Sequence, residues 1–254
     1  TQEQRDGEQH VVCYGAADGQ IHWVHRSPGE FSKALSGDGP RATPTVVDGL
    51  VYVVGPNGWL RCLSGADGSE VWSVNFLDDN GAVNNMWGAS CSPLVHGDVV
   101  FVSAGGPDGR SLVAYDRRTG EKRISGGDDR AGYSSPVAAT IAGSTQILIL
   151  NATTAAGHDA TDGRLLWSIH WQDAHPNVAD LIAVGDDRVF VSTGYGYGCA
   201  LFQIQASDDG AFTAEELWFN RNLKTKFNNA VLKEGYLYGL DERILVCLDV
   251  ATGE

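Results

Sequence analysis

The stretch Ser64–Ser73 reads SGADGSEVWS: an Asp-Gly step, then a tryptophan four residues after the glycine, between apolar runs. Asp-Gly flanked by apolar segments is a hairpin signal, because both residues tolerate the backbone a tight turn needs. The phrase returns along the chain. AADGQIHW carries Asp18, Gly19 and Trp23, and DATDGRLLW carries Asp162, Gly163 and Trp167. DRRTGEKRI has Thr119, Gly120 and, in the tryptophan's place, Ile124. SDDGAFTAEELW displaces Trp218 from Gly210 by an insertion, and DVATGE ends the sequence at Thr252, Gly253 and Glu254. The six glycines stand 49, 52, 43, 47 and 43 residues apart.

A second marker keeps the same phase. TPTVVDGLVYVV, SPLVHGDVVFVS, SPVAATIAGSTQILIL, NVADLIAVGDDRVFVS and NNAVLKEGYLYGL each read strand, glycine turn, strand, around Gly49, Gly97, Gly143, Gly185 and Gly235. Four short strands repeating at this period are the signature of a β-propeller. The unit from Gly39 to Leu77 predicts all four: RATPTVV as strand A, LVYVVG as B, WLRCLSG as C and SEVWSVNF as D. Alternation on strand D puts Trp72, Val74 and Phe76 on one face. One sheet cannot bury such a face alone, so it must stack on a neighbour.

The bulk numbers agree. The chain has 254 residues and 32 glycines, with 43% apolar residues, a globular composition rich in turns. A formal charge of −14 repels nucleic acid, whose phosphates need clustered Lys and Arg. No apolar run is long enough for a membrane span, and no signal-peptide pattern stands at the start. Five cysteines form no CxxC and no adjacent pair, so zinc spacing is absent. Cys13, Cys62 and Cys247 each precede a motif glycine by six residues, which predicts one repeated inward position on strand C and buried free thiols.

The fold class expected is therefore all-β: a β-propeller of four-stranded antiparallel blades, forming one partial domain over 1–254. Whole blades are expected at about 39–77, 85–127, 131–171 and 175–220, with partial blades at 10–26 (strands C and D) and 224–254. The expectation is an incomplete ring of a seven- or eight-bladed propeller.

The phrase Ala-x-Asp-x-x-Thr-Gly-x-x-x-Trp is the tryptophan-docking motif of the PQQ-like (pyrroloquinoline-quinone) propellers. AYDRRTGEKRI, CLDVATGE and GHDATDGRLLW resemble it, as GPRATPTV, WGASCSPLV, YSSPV, STGYGYGCAL and YLYGLDE resemble repeat proteins of planctomycete-type genomes. The BamB-type outer-membrane assembly lipoproteins share the repeat. The resemblance implies an exported, periplasmic protein. It also implies that Trp23, Trp72, Trp167 and Trp218 dock one blade on the next at the motif turns of Gly19, Gly68, Gly120, Gly163 and Gly253, with a weaker contact at Ile124.

Three functions follow from the resemblance. The expected one is a non-catalytic scaffold or interaction module that binds protein or a small polar or anionic ligand. The alternatives are a PQQ-dependent dehydrogenase completed by further blades, or the sensor domain of a larger signalling protein. The dehydrogenase reading needs calcium on oxygen ligands, a catalytic Asp and, in the well-known alcohol dehydrogenases, a disulfide between adjacent cysteines. This chain has no adjacent cysteines, and its pairs Asp78-Asp79, Asp128-Asp129, Asp186-Asp187 and Asp208-Asp209 read as turn formers in loops. No catalytic residue, metal or cofactor is therefore expected under the first reading. GYGYG (194–198) opens no helix, so it reads as a strand B to C hairpin and not a phosphate loop. Residues just before each strand A converge on one mouth of a propeller channel. Here they are Arg41, Trp87, Arg130, Tyr133, His175, Lys226 and Asn228, a basic and aromatic set in an acidic chain. They are the expected ligand-binding residues.

Overall fold

The computed structural model describes residues 1–33, 35 and 37–254. Among them, six antiparallel sheets follow one another in chain order. Sheet 1 holds β1 (Gln2–Arg5), β2 (Glu8–Tyr14) and β3 (Ile21–Pro28). A small hairpin of β4 (Ser32–Lys33) and β5 (Gly37–Asp38) follows. Sheet 2 holds β6 (Thr45–Val47), β7 (Leu50–Val54), β8 (Trp59–Ser64) and β9 (Glu70–Asn75), and α1 (Phe76–Asn80) comes after it. Sheet 3 holds β10 (Leu94–His96), β11 (Val99–Gly106), β12 (Arg110–Asp116) and β13 (Lys122–Gly126). Sheet 4 holds β14 (Val137–Ile141), β15 (Ser144–Leu150), β16 (Thr154–Asp159) and β17 (Leu165–His170). Sheet 5 holds β18 (Ile182–Val184), β19 (Arg188–Thr193), β20 (Gly198–Ala206) and β21 (Phe212–Asn220). Sheet 6 holds β22 (Val231–Lys233), β23 (Tyr236–Asp241) and β24 (Ile244–Asp249). Four-stranded meanders of this kind are propeller blades.

Each apolar cluster lies between consecutive sheets. Tyr52, Leu60, Cys62 and Trp72 of sheet 2 meet Val100, Val102 and Tyr115 of sheet 3. Phe101 and Ala114 of sheet 3 meet Ile147 of sheet 4, and Phe190 and Leu201 of sheet 5 meet Leu237 and Leu248 of sheet 6. The core is thus a series of interfaces, as expected when each repeat has two apolar faces.

The turn at the motif is the same in every copy but the fifth, in which Gly210 N–H donates to Ser207 O, three residues back. Elsewhere the motif glycine N–H donates to the carbonyl four residues earlier, as from Gly68 to Ser64, Gly120 to Asp116, Gly163 to Asp159 and Gly253 to Asp249. All four glycines lie at φ between +73° and +79°, which only glycine adopts without steric cost. Aspartates lock the turn from outside: Asp116 accepts from the N–H groups of Arg118 and Thr119, and Asp159 from Thr161. In sheets 1 to 5 the register slips by one residue directly beside the tryptophan position, at Cys13/Tyr14, Cys62/Leu63, Ala114/Tyr115, Gly157/His158 and Leu201/Phe202. This repeated bulge twists the end of the fourth strand.

Several local expectations change. Sheet 1 takes in a further strand, β1, before residue 10: the polar QEQR pairs with β2 across the Asp6-Gly7 turn. Its side chains carry no apolar alternation, so periodicity could not mark it. Phe76 does not continue β9. Asn75 caps α1 by accepting from Leu77 and Asp78 N–H, and Gly81 closes the helix at φ +62°. Asp78 and Asp79 therefore sit in a helix and not in a loop, and Asp79 accepts from the Tyr115 hydroxyl at 2.8 Å. The five cysteines are free, but only Cys62 of the three strand-C thiols is buried; Cys13 is half-buried and Cys247 exposed. The neighbour decides this, since among the described residues no sheet packs on the face of sheet 6 that carries Cys247.

Candidate functional site

The segments entering the first strand of sheets 2 to 6 meet around a cavity of about 760 Å³. Arg41, Trp87, Tyr133, Lys226 and Asn228 line it, so the fold brings together five of the seven residues expected at the mouth. Arg130 and His175 are not among the lining residues. Arg130 is exposed one residue after Asp129, whose carboxylate folds back onto Thr153 and Thr154. His175 lies behind the wall, its ring stacked on Tyr195 at 5.5 Å.

A hydrogen-bond ladder holds these segments at a fixed spacing. Thr43 N–H donates to Ser92 Oγ, and Ser92 N–H to Ser135 Oγ. Ser135 N–H donates to Asp180 Oδ1 at 2.6 Å, and Asp180 N–H to Asn229 Oδ1. Each rung links one sheet to the next through the same position. The sequence shows that position as Thr-Pro, Ser-Pro, Ser-Pro, Asp-Leu and Asn-Ala, a regularity that a strand-centred reading passes over.

The walls differ in chemistry. Trp87 and Tyr133 pair at 5.6 Å. Lys226 Nζ lies 4.3 Å from the Tyr195 ring and 5.6 Å from the Phe227 ring, close enough for cation–π attraction. Its nearest carboxylate is Glu242, at 3.9 Å. Tyr195 was not singled out from the sequence; it sits at φ +59° within the GYGYG hairpin, a conformation that costs a bulky residue energy. The Gly196 N–H, which donates to Glu242 at 2.9 Å, helps to hold that hairpin over the cavity. Arg41 is engaged with protein: its guanidinium donates to the carbonyls of Gly37, Gly39 and Trp87 and lies 5.2 Å from the Phe31 ring. Burial lowers its pKa. Arg41 thus shapes the rim, while Lys226 presents charge.

Asp180 is the one carboxylate among the lining residues. Burial pushes its pKa up, against the opposing hydrogen bonds from Ser135 and Asn229. Both of its oxygens are taken, the second by the Asn229 amide at 2.8 Å. Calcium needs six to eight oxygens, and among the described residues no three His, Cys, Asp or Glu side chains stand together as a metal site. The donor set does not fit a quinone–calcium pair.

The tryptophan positions form a second constellation at the outer rim. Trp23 covers Gly68 and donates to Gly65 O at 3.0 Å. Trp72 covers Gly120 and donates to Arg117 O at 3.1 Å, and Trp218 covers Gly253 and donates to Val250 O at 3.1 Å. A Cβ on any of these glycines would strike the indole. Ile124 touches Gly163 in the same way but has no N–H to give. Gly19 has nothing over it. Trp167 departs from the expected docking: it lies over Gly157 of its own sheet and donates to Gln146 Oε1 at 2.7 Å. The insertion in the fifth copy explains this, because the hairpin lengthens to Ala206–Phe212 and leaves Gly210 without a neighbour. Trp171 bridges sheets 4 and 5 instead, donating to Thr193 Oγ1 and packing edge-on to Tyr197 at 4.9 Å.

The family model described as "Outer membrane protein assembly factor BamB" matches residues 7–254. Among solved structures, BamB from Moraxella catarrhalis is 14% identical, with a TM-score of 0.54 over 92% of this chain and 76% of that one. The computationally designed Ika8 protein is also 14% identical, with a TM-score of 0.63 over 98% of this chain and 67% of that one. The quinohemoprotein alcohol dehydrogenase ADHIIG from Pseudomonas putida HK5 is 17% identical, with a TM-score of 0.49 over 91% of this chain and 42% of that one. No curated protein matches the sequence. At these identities the structural likenesses bear on the fold.

Proposed function

The chain belongs to the PQQ-like, BamB-related β-propeller family, and on that premise we propose that it is a non-catalytic interaction module of an exported, periplasmic protein, binding a polar or anionic ligand at its channel mouth. The family is described by an assembly factor and not by an enzyme. One observation carries the reading: the segments entering sheets 2, 3, 4 and 6 deliver Arg41, Trp87, Tyr133, Lys226 and Asn228 to one cavity, in which, among the described residues, the only lining carboxylate is already paired. Such a cavity offers aromatic faces and hydrogen-bond donors, the features of a binding pocket. Among the described residues, no unpaired carboxylate lines it and no cluster of metal-ligating side chains stands by it, whereas dehydrogenase chemistry requires a base and metal ligands.

Titration calorimetry with triglutamate tests the reading. Saturable binding is expected, with about tenfold weakening in Lys226→Ala, the size of one charge-assisted contact. Unchanged affinity in that variant would sink the assignment of the mouth. A thermal shift with PQQ and calcium together is expected to leave the melting temperature unmoved, and a joint stabilisation would restore the dehydrogenase reading.

A further inference from the structure

Three joints between sheets share one clamp. An indole lies on the motif glycine of the next sheet, and its N–H meets the carbonyl three residues before that glycine. The joint between sheets 3 and 4 keeps the glycine, Gly163, and by the same count its acceptor is the Ala160 carbonyl. Ile124 covers the glycine but is too short to fill the indole's place. No donor from the described residues reaches the Ala160 carbonyl. A groove of about 550 Å³ opens at this joint, floored by Val99 and Ile124 with Thr161 at its side.

Three of the chain's 18 basic residues, Arg117, Arg118 and Arg123, line the same groove, together with the carboxylates of Asp98 and Asp116, which leaves an excess of one positive charge. Arg117 is paired with Asp48 at 2.8 Å, and Arg123 with Asp116 at 3.2 Å. Among the described residues the Arg118 guanidinium has no ion pair, and Asp116, the carboxylate nearest to it in sequence, is also tied by the N–H groups of Arg118 and Thr119. A groove floored by two apolar side chains, with a carbonyl nearby that takes no donor and a guanidinium outside any ion pair among the described residues, describes its own occupant.

We propose that the groove between sheets 3 and 4 docks a tryptophan from a partner protein, on a segment with an acidic residue beside it. The indole lies against Val99 and Ile124, its N–H donates to the Ala160 carbonyl, and the adjacent carboxylate pairs with Arg118. Tryptophan is enriched among interface hot spots, because it combines large area with one polar handle. The site is independent of the channel mouth.

The test is fluorescence anisotropy of a labelled acetyl-Gly-Ser-Trp-Glu-Asp-Gly-Ser-amide peptide against the whole chain. Saturable binding is expected, at least tenfold weaker when the peptide's tryptophan is alanine. Ile124→Trp fills the slot from within, so binding falls at least tenfold while the melting temperature rises. Arg118→Glu also weakens binding about tenfold, and it lies on an exposed turn, so it decides the matter if Ile124→Trp misfolds. Lys226→Ala is expected to leave this binding unchanged. The proposal is overturned by no binding to the wild type, by equal binding of the alanine peptide, or by full affinity in Arg118→Glu. A wild-type dimer that Ile124→Trp converts to monomer would also overturn it, by making a second copy the occupant.

Discussion

Sheets 2 and 6 carry the same pattern on the face that points along the chain direction, yet that face has opposite fates. In sheet 2, Tyr52, Val54, Leu60 and Cys62 are fully buried against sheet 3. Their counterparts in sheet 6, by strand register, are Tyr238, Leu240, Leu245 and Cys247. Tyr238 is 41% exposed and Leu245 72% exposed, and among the described residues no sheet covers them. Tyr52 donates to Arg117 O across the joint at 3.0 Å, a bond for which Tyr238 has no facing turn. Apolar pattern therefore marks a blade face as able to be buried. Whether it is buried, and what it contributes, depends on the neighbour that presents a motif turn to it.

The thiols offer the most sensitive way to break this comparison. Burial pushes Cys62 up to about 11, so at pH 8 it is both shielded and protonated. A maleimide is expected to label exposed Cys247 about a hundredfold faster than Cys62, because reaction needs an accessible thiolate. Equal rates, followed by mass spectrometry of the digested protein, would show that the face of sheet 6 is covered in solution.

Leucine truncation comes next. Leu60→Ala is expected to cost about 2–5 kcal/mol in urea unfolding, as for a fully buried leucine. Leu245→Ala is expected to stay within about 0.5 kcal/mol. A large loss at Leu245 would place a partner on sheet 6. Tyr52→Phe removes only the hydroxyl bond to Arg117 and should cost about 1 kcal/mol, against no measurable change for Tyr238→Phe.

The smallest effect is the pH dependence of the motif turns. Hydrogen bonds from Arg118 and Thr119 N–H and from Arg123 hold the Asp116 carboxylate below its ordinary range, and those from Thr161 hold Asp159 there too. A carboxyl whose folded pKa is depressed stabilises the fold above its unfolded pKa of about 4, and that contribution is lost as pH falls through the folded value. Asp116→Asn should therefore flatten the fall in melting temperature below pH 4. An unchanged acid limb would mean that the turn does not discriminate between the two charge states.

The girdle shows how far sequence reading reaches. Trp23 and Trp72 were legible because glycine and tryptophan recur in phase, and a phase survives without coordinates; Trp218 was legible as the same motif with an insertion. Trp167 kept the same phase and still turned inward, because an insertion forty residues away moved the turn it would have met. At the mouth, Arg41, Trp87, Tyr133, Lys226 and Asn228 followed from one rule about where first strands begin. Asp180, Phe227 and Tyr195 did not: Asp180 and Phe227 stand near the same segment starts but outside the expected set, and Tyr195 arrives from a hairpin between the second and third strands of sheet 5. The hydrogen-bond ladder from Thr43 to Asn229 escaped notice because its rungs are 43 to 49 residues apart and vary in residue type.

By itself the sequence determined the repeat, the four-strand meander, the family and the turn chemistry. All are local: they depend on spacing, on glycine at positive φ, and on alternation within a few residues. Tertiary structure alone decided which faces are buried, that Trp171 and not Trp167 joins sheets 4 and 5, that Arg41 is tied to backbone while Lys226 faces a cavity, and that Ile124 leaves a groove. Each of those depends on what a different repeat places opposite, and packing between repeats is set by contacts that no single period records.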